Sequence, residues 1–379
     1  MKEIFFTDGE KIELTIISLA ASGSGMGITI ENGFKKPVFV PYTVPGDIVI
    51  AQLTKQYKRY YEAKLCEIIT SSPHRIKPVC EHFGTCGACD FLHISYDQQI
   101  KSKEKLLLYS LKKVHVSHPT IQLIAAKQTL HYRAKVKLFS QDKEAGFIAK
   151  KSNTIVPIKK CSIIYEELNK VFASSLEDGV HNFAYDEKTK SITDSEKCFY
   201  TVENCLLAFY PNTFVQSNLE MNKELVRLVC SFIPAKTTVL DLYAGNGNFS
   251  IVLAKKGNIV TAVEGDKKGY DLLCANKQSN EVSLTVFYQD VKTFLEENTE
   301  VQESIILDPP RTGALEILPL LTKAKNIVYV SCNAQNLGKE LKYLCDEGYT
   351  ITEIYLLDLF PQTRHFETII NLKKKHINN

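Results

Sequence analysis

The chain of 379 residues is 44% hydrophobic and 23% charged, with 18 glycines and 13 prolines. That length exceeds one ordinary domain, and the composition excludes an unfolded, collagen-like or fibrous chain. A net charge of +3 is compatible with a polyanionic partner but falls short of the excess that would demand one.

No apolar run is long enough for a membrane span, and the opening MKEIFFTDGEKIEL has no apolar core of the kind a secretory signal needs. A cytoplasmic monomer with no membrane partner is therefore expected. With 11 cysteines and no secretory signal, the chain reads as one for a reducing compartment. Clustered cysteines there serve metals or catalysis more often than disulfides.

Residues 1–67 read as all-β: KIELTIISLA, GMGITI, KPVFVPYTV and DIVIAQLTKQYKRYYEAKLCEII are short β-branched runs separated by Gly, Pro and Asn. Five such strands predict a small closed barrel of the oligonucleotide-binding (OB-like) type. Around its last strand Lys55, Lys58, Arg59, Lys64, Arg75 and Lys77 interleave with Tyr57, Tyr60 and Tyr61. Basic side chains among aromatics suit a strand of RNA, although lysines guarding a sheet edge explain this segment equally well.

Residues 75–205 read as an α+β middle domain. It opens on a cysteine cluster, continues through the leucine-spaced helix SYDQQIKSKEKLLLYSLKKV, and then becomes mostly strands. HYRAKVKLFS, EAGFIAK, TIVPI and CFYTVENCLLAFY are the strand runs, with a more helical stretch at 165–176. Arg133, Lys135 and Lys137 alternate and so share one face of their strand, a second candidate contact for RNA.

From 206 to 379 helices and strands alternate, which predicts a doubly wound α/β domain with a parallel sheet. The strands are TVLDLYAG, IVTAVEGD, LTVFYQD, ESIILDPP and IVYVSCN, followed by a β-rich tail and a frayed end, KKKHINN. In such sheets chemistry lies beyond the carboxyl ends of the strands.

Those strand ends carry the polar residues. VLDLYAGNGNFS places Gly245 and Gly247 where a strand turns into a helix and the backbone can approach a ligand. Ser250 stands where a dinucleotide fingerprint needs its third glycine, so NAD is disfavoured. The next strand ends in Glu264, placed to accept from ribose hydroxyls, and the third in Asp290, a candidate for an adenine amino group. A glycine turn followed by two acidic strand ends describes an S-adenosylmethionine pocket. The fourth strand ends in LDPPR, with Asp308 facing the ligand; Arg311 stands where amino-directed methyltransferases carry a stacking aromatic.

Cys332 ends the fifth strand, in SCN, and Glu367 follows in FPQTRHFET. Methylation of an oxygen or nitrogen needs no nucleophile, but C5 of a neutral pyrimidine does. A thiolate adding to C6 makes C5 reactive, and a base must then remove the C5 proton.

VCEHFGTCGACDF spaces Cys80, Cys86 and Cys89 with five and two residues between them. Cys161 is the best candidate for a fourth ligand. Four thiolates hold zinc or an iron–sulfur cluster, and spacing alone does not decide between them.

FVQSN at 214–218, DLYAGNGNFS, LDPPR, SCN and FPQTRHFET, in this order and spacing, resemble the RNA uracil-C5 methyltransferase family over essentially the whole chain. The resemblance implies Cys332 as nucleophile and Glu367 as the base for the C5 proton. It implies Gln216, Tyr243, Asn248, Glu264, Asp290 and Asp308 as lining for the S-adenosylmethionine and uracil sites. It also implies a [4Fe–4S] cluster on Cys80, Cys86, Cys89 and Cys161, serving structure or RNA placement, since methyl transfer moves no net electrons. The first domain is similar to the family's TRAM-type RNA-binding barrel, with GSGMGI and VFVPYTVPGDIV carrying the match. The expected substrate is 23S ribosomal RNA, with transfer RNA as the alternative. The expected product is 5-methyluridine.

Overall fold

The computed structural model describes residues 9–31, 33–300 and 302–375. They form two compact units. One takes the described residues up to Leu106 together with Phe147–Ile158 and Phe360–Arg364; the other takes Leu107–Gly146, Lys159–Leu359 and the described residues from His365 on.

In the first unit the strands run in the order Lys11–Thr15, Ile48–Gln56, Tyr61–Thr70, Phe34–Val40, Gly25–Glu31, Ser18–Leu19. The two ends of that order are one bent strand interrupted only by Ile16 and Ile17. The Ile16 N–H donates to Asp47 O and the Ile17 N–H to Met26 O, each at 2.9 Å, so the sheet closes on itself. Closure removes the exposed edges an open sheet would leave. Alternate residues fill the interior, among them Leu14, Ile16, Val38, Val40, Val49, Ala51 and Leu53. The bend demands a glycine: a Cβ on Gly25 would meet the Thr43 hydroxyl at 2.0 Å.

Two side chains expected on the RNA-facing surface are instead structural. Tyr61 is 1% exposed and donates to Glu31 at 2.6 Å. Arg75 is tied to the buried Asp47 at 2.5 Å. Both are amphipathic residues in a strand region, and sequence alone does not reveal which way such a chain turns. Lys55, Tyr57, Lys58 and Arg59 are exposed, with the Tyr57 ring stacked on Tyr60 at 4.4 Å.

The second unit centres on a large sheet. We label its consecutive strands β1 (Thr238–Leu242), β2 (Ile259–Glu264), β3 (Thr285–Tyr288), β4 (Ser304–Leu307), β5 (Asn326–Ser331), β6 (Tyr349–Leu357) and β7 (Glu367–Lys374). They lie in the order β3-β2-β1-β4-β5-β7-β6, and the short strand Gln122–Ile124 adds to the β6 edge. β1 to β5 are parallel and separated by helices, as predicted. The tail departs from that pattern: β7 inserts antiparallel between β5 and β6. No helix separates β6 from β7, and a connection without a crossover returns a strand antiparallel. β4 and β5 are buried at every position, as strands covered on both faces are.

A hairpin, Cys198–Val202 with Cys205–Phe209, and an antiparallel group around Lys135–Gln141 complete this unit. The predicted helix at 165–176 is a 3-10 segment, Glu166–Ala173, and the strands Gly179–Asp186 and Ser191–Thr193 had no clear apolar alternation to announce them. Lys135 is half-buried and donates to Thr213 O, whereas Lys137 is exposed. Of the tail expected to fray, Lys373 and Lys374 end β7; residues 376–379 lie outside the described residues.

Candidate active site

β1 ends one residue before a tight turn. Tyr243 takes a left-handed backbone (φ 62°), as do Gly245 (φ 57°) and Gly247 (φ 90°). A Cβ on Gly247 would strike Leu273 at 2.6 Å and Ile251 at 2.7 Å, so the turn packs against its helices only with glycine there. Around Gly245 the space is open. Its N–H donates to Glu264 Oε2 at 2.6 Å, while Glu264 Oε1 accepts from the Asp266 N–H at 2.6 Å. Glu264 therefore joins the ends of β1 and β2 and is itself held by the backbone.

Asp290 caps the helix Val291–Glu297, its Oδ1 accepting from Lys292 and Thr293 at 3.0 and 3.1 Å. It remains exposed, and its charge, after burial, helps push the Tyr243 hydroxyl above its ordinary value. Tyr243, Gly245, Glu264 and Asp290 thus gather at adjoining strand ends. Asn248 has a different setting. Its Oδ1 accepts from Tyr200 and Asn222, and its Nδ2 donates to Asn222 at 2.9 Å, which ties the hairpin and the helix Leu219–Ser231 to the glycine turn. Gln216 is 8% exposed in the loop before that helix, and Asn218 caps it. Beside Gln216, Phe214 is 80% exposed.

The second half of the site lies at the ends of β4, β5 and β7. The β5–β7 ladder ends on the pair Ser331–Thr368, so Cys332, in the bend just past β5, and Glu367, the first residue of β7, both adjoin that last pair. A thiol and a carboxyl distant in sequence are therefore neighbours by strand pairing. Burial, followed by the Glu367 and Asp308 charges, pushes the Cys332 thiol up to about 11; Arg311 pulls it the other way. Glu367 is 4% exposed and its Oε2 has no hydrogen-bond partner among the described residues. Burial and then Asp308 raise its carboxyl well above the ordinary range, again opposed by Arg311. Asp308 itself is raised to about 7 by burial and by Asp241.

Asp241 and Arg311 carry signals that the strand-end reading passed over. Asp241 is the lone charge inside the apolar β1 run; it accepts from the Ser250 hydroxyl and, fully buried, is raised to about 7. Arg311 stood out in sequence only for its lack of an aromatic ring, yet it supplies the cationic influence on both Cys332 and Glu367.

The cysteine positions divide between the units. In the first, Cys80, Cys86 and Cys89 lie in a chain of tight turns: Phe83 N–H donates to Cys80 O, Cys86 N–H to His82 O at 2.9 Å, and Gly87 N–H to Ile148 O. In the second, Cys161 is 7% exposed, with its N–H donating to Asn169 Oδ1 at 2.7 Å. Among the described residues, no three His, Cys, Asp or Glu side chains form a group arranged to hold a metal ion.

Comparisons with known proteins cover most of the chain. Residues 187–375 match the family model described as tRNA (Uracil-5-)-methyltransferase, and residues 6–66 match the TRAM domain. The chain is 30% identical to 23S rRNA (uracil(1939)-C(5))-methyltransferase RlmD of Shewanella woodyi, covering 91% of this chain and 92% of that one. It is 29% identical to the enzyme of the same name from Vibrio parahaemolyticus, over 90% and 92% of the two chains. Among solved structures, the Pyrococcus abyssi tRNA (uracil-54, C5)-methyltransferase in complex with S-adenosyl-L-homocysteine shares the fold. Its TM-score is 0.77 at 22% identity, over 95% of this chain and 100% of that one.

Proposed function

Since the chain belongs to the RNA uracil-C5 methyltransferase family, we propose that it methylates C5 of a uridine in 23S ribosomal RNA through a covalent adduct on Cys332, with Glu367 as the base. The observation that supports the mechanism is the β5–β7 pairing, whose last pair adjoins both Cys332 and Glu367, a buried carboxyl with an uncommitted oxygen. S-adenosylmethionine supplies an electrophilic methyl group on a sulfonium. Tyr243, Gly245, Glu264 and Asp290 would hold it at the ends of β1 to β3. Gln216, Asn248 and Asp308 would line the cofactor and uracil sites, with Asn248 acting through the network that shapes the glycine turn.

The target uracil must leave its stack for Cys332 to reach C6 from one face. The Cys332 thiol gives up its proton to solvent water, the sulfur–C6 bond forms, and the negative charge moves to the uracil enolate. C5 takes the methyl group as the sulfonium–methyl bond breaks, leaving S-adenosylhomocysteine. The C5 proton then passes to the Glu367 carboxylate, the C5–C6 double bond returns, and the sulfur–C6 bond breaks. A carboxyl raised by burial is a stronger base than an exposed one, which suits removal of a carbon-bound proton.

The exposed Lys55, Lys58 and Arg59 beside the stacked Tyr57 and Tyr60 support RNA binding by residues 1–67 of the barrel. Residues 75–205 are proposed as an iron–sulfur middle domain and residues 206–379 as the catalytic domain. The chemistry of the donor set, four thiols in a chain read as cytosolic, suits a [4Fe–4S] cluster on Cys80, Cys86, Cys89 and Cys161. Protein purified without oxygen should hold about four irons per chain on that reading, and one tightly held zinc would overturn it.

RNA containing 5-fluorouridine tests the mechanism, because the fluorine at C5 cannot leave as a proton does. Incubated with the protein and S-adenosylmethionine, 23S ribosomal RNA carrying it should yield a protein–RNA adduct stable in denaturant, and Cys332→Ala should form none. A Cys332→Ala protein that methylates RNA at the normal rate would sink the assignment. A trapped adduct on transfer RNA alone would move the substrate to that class.

A further inference from the structure

The helix Ala334–Asp346 starts immediately after the Cys332 turn, and one of its faces is spent on a single neighbouring loop. Asn333, Asn336 and Glu340 are spaced three and four residues apart, hence on one side of the helix and its cap. Asn333 Nδ2 donates to Arg311 O at 3.0 Å, while its Oδ1 accepts from the Gln335 N–H and caps the helix. Asn336 Nδ2 donates to Thr312 O at 3.2 Å. Glu340 Oε1 accepts from the Ala314 N–H at 2.7 Å. The loop is shaped for this grip: Gly313 has φ +84°, and a Cβ there would sit 2.2 Å from Glu340 Oε1. Only glycine allows both that backbone and the approach of the carboxylate.

Glu340 is an odd choice for a merely structural contact. It is 2% exposed, and its Oε2 is buried beside the Tyr329 hydroxyl of β5. A buried carboxyl without a cationic partner is expensive to keep. What it holds is the backbone that carries Arg311, the residue whose charge acts on Cys332 and Glu367.

We propose that Asn333, Asn336 and Glu340 form a positioning latch. It locks the 311–314 loop to the helix that begins at the nucleophile turn, and so fixes Arg311 relative to Cys332. Cys332 and Arg311 follow the ends of adjacent strands, β5 and β4, but the chain reaches one from the other only through the helix Leu318–Leu321 and β5. The latch makes them one body. Glu340 is a positioning residue here, with no contact to substrate. The proposal rests on the reading of Cys332 as nucleophile.

Alkylation of Cys332 tests the latch without any methyl transfer. Intact protein, purified without oxygen, is treated with iodoacetamide across a range of pH, and mass spectrometry follows the peptide carrying Cys332. Loss of the Arg311 influence leaves less thiolate at a given pH. Glu340→Ala should therefore slow alkylation at pH 8 by about threefold or more, a shift of roughly half a pH unit. Arg311→Ala should shift the profile in the same direction, and adding Glu340→Ala to it should change little, because both remove one interaction. Glu340→Gln, which keeps the acceptor, should restore the wild-type profile. If Glu340→Ala does not fold, Asn336→Ala, a surface change, should give a smaller slowing in the same direction. A wild-type profile in a folded Glu340→Ala or Asn336→Ala protein would overturn the latch. Failure of the fluorouridine adduct would instead overturn the nucleophile assignment and leave these profiles interpretable.

Discussion

Two buried carboxyls, one in each unit, show how the same residue chemistry serves opposite ends. Asp47, beneath the barrel, is fully committed: it accepts from the Val44 and Ser72 N–H groups at 2.6 and 2.9 Å and from Arg75 at 2.5 Å. Burial pushes its carboxyl up, but Arg75 and the two backbone donors more than offset that and hold it below the ordinary value. Glu367, at the end of β7, has an oxygen with no partner and a carboxyl raised well above the ordinary value by burial and by Asp308. A satisfied buried charge stabilises a fold. An unsatisfied one costs stability and keeps its proton affinity for a reaction.

Replacing Glu367 is expected to have the largest effect. Glu367→Gln keeps the shape but not the base, so turnover should fall by about a thousandfold or more. The adduct should still form on ordinary RNA and accumulate, because the C5 proton has nowhere to go. Gel analysis in denaturant would read it, and normal turnover by this variant would break the comparison at its catalytic end. Stability should move the other way. A carboxyl raised in the folded state binds its proton more tightly there than in the unfolded chain. Wild-type stability therefore declines, relative to the variant, as pH rises from the unfolded value of about 4.3 towards neutrality. Melting curves at several pH values should show Glu367→Gln gaining on the wild type over that interval.

The parallel strands were legible in the sequence, and their ends nearly so. Glu264 ends β2 as expected, while Asp308 and Cys332 each stand one residue past β4 and β5, and Asp290 stands two past β3, where it caps a helix. The approach of Glu367 to Cys332 was not legible from local pattern. It depends on β7 inserting beside β5, and register is a property of two strands rather than of either sequence. For the same reason the latch was invisible: Asn333, Asn336 and Glu340 look like an ordinary solvated helix face until the loop they grip is brought alongside. Asn248 and Asn218 carried a motif whose polar atoms turn out to be spent on the protein itself. An amide's partner is set by tertiary neighbours, and hydrogen-bonding capacity alone does not say whether it will meet protein or ligand.

Asp47→Asn sharpens the comparison from the stabilising side, with a smaller effect. The amide cannot accept from all three donors at once and leaves the Arg75 guanidinium beside a neutral group, so stability should fall by about 3 kcal/mol. The sign of its pH dependence is the reverse of that at Glu367. A carboxyl held below its ordinary value contributes its full stabilisation above the unfolded value of about 3.9 and loses it as pH falls through the folded value. The gap between wild type and Asp47→Asn in denaturant titrations should therefore be constant from neutrality to about pH 5 and close as the solution is acidified further. Alkylation of Cys332 in the folded variant should match the wild type, since the Asp47 carboxyl acts on the barrel and on His93. A gap that widened on acidification would mean that Asp47 carries its proton in the folded barrel, and the contrast between a committed and a poised carboxyl would collapse.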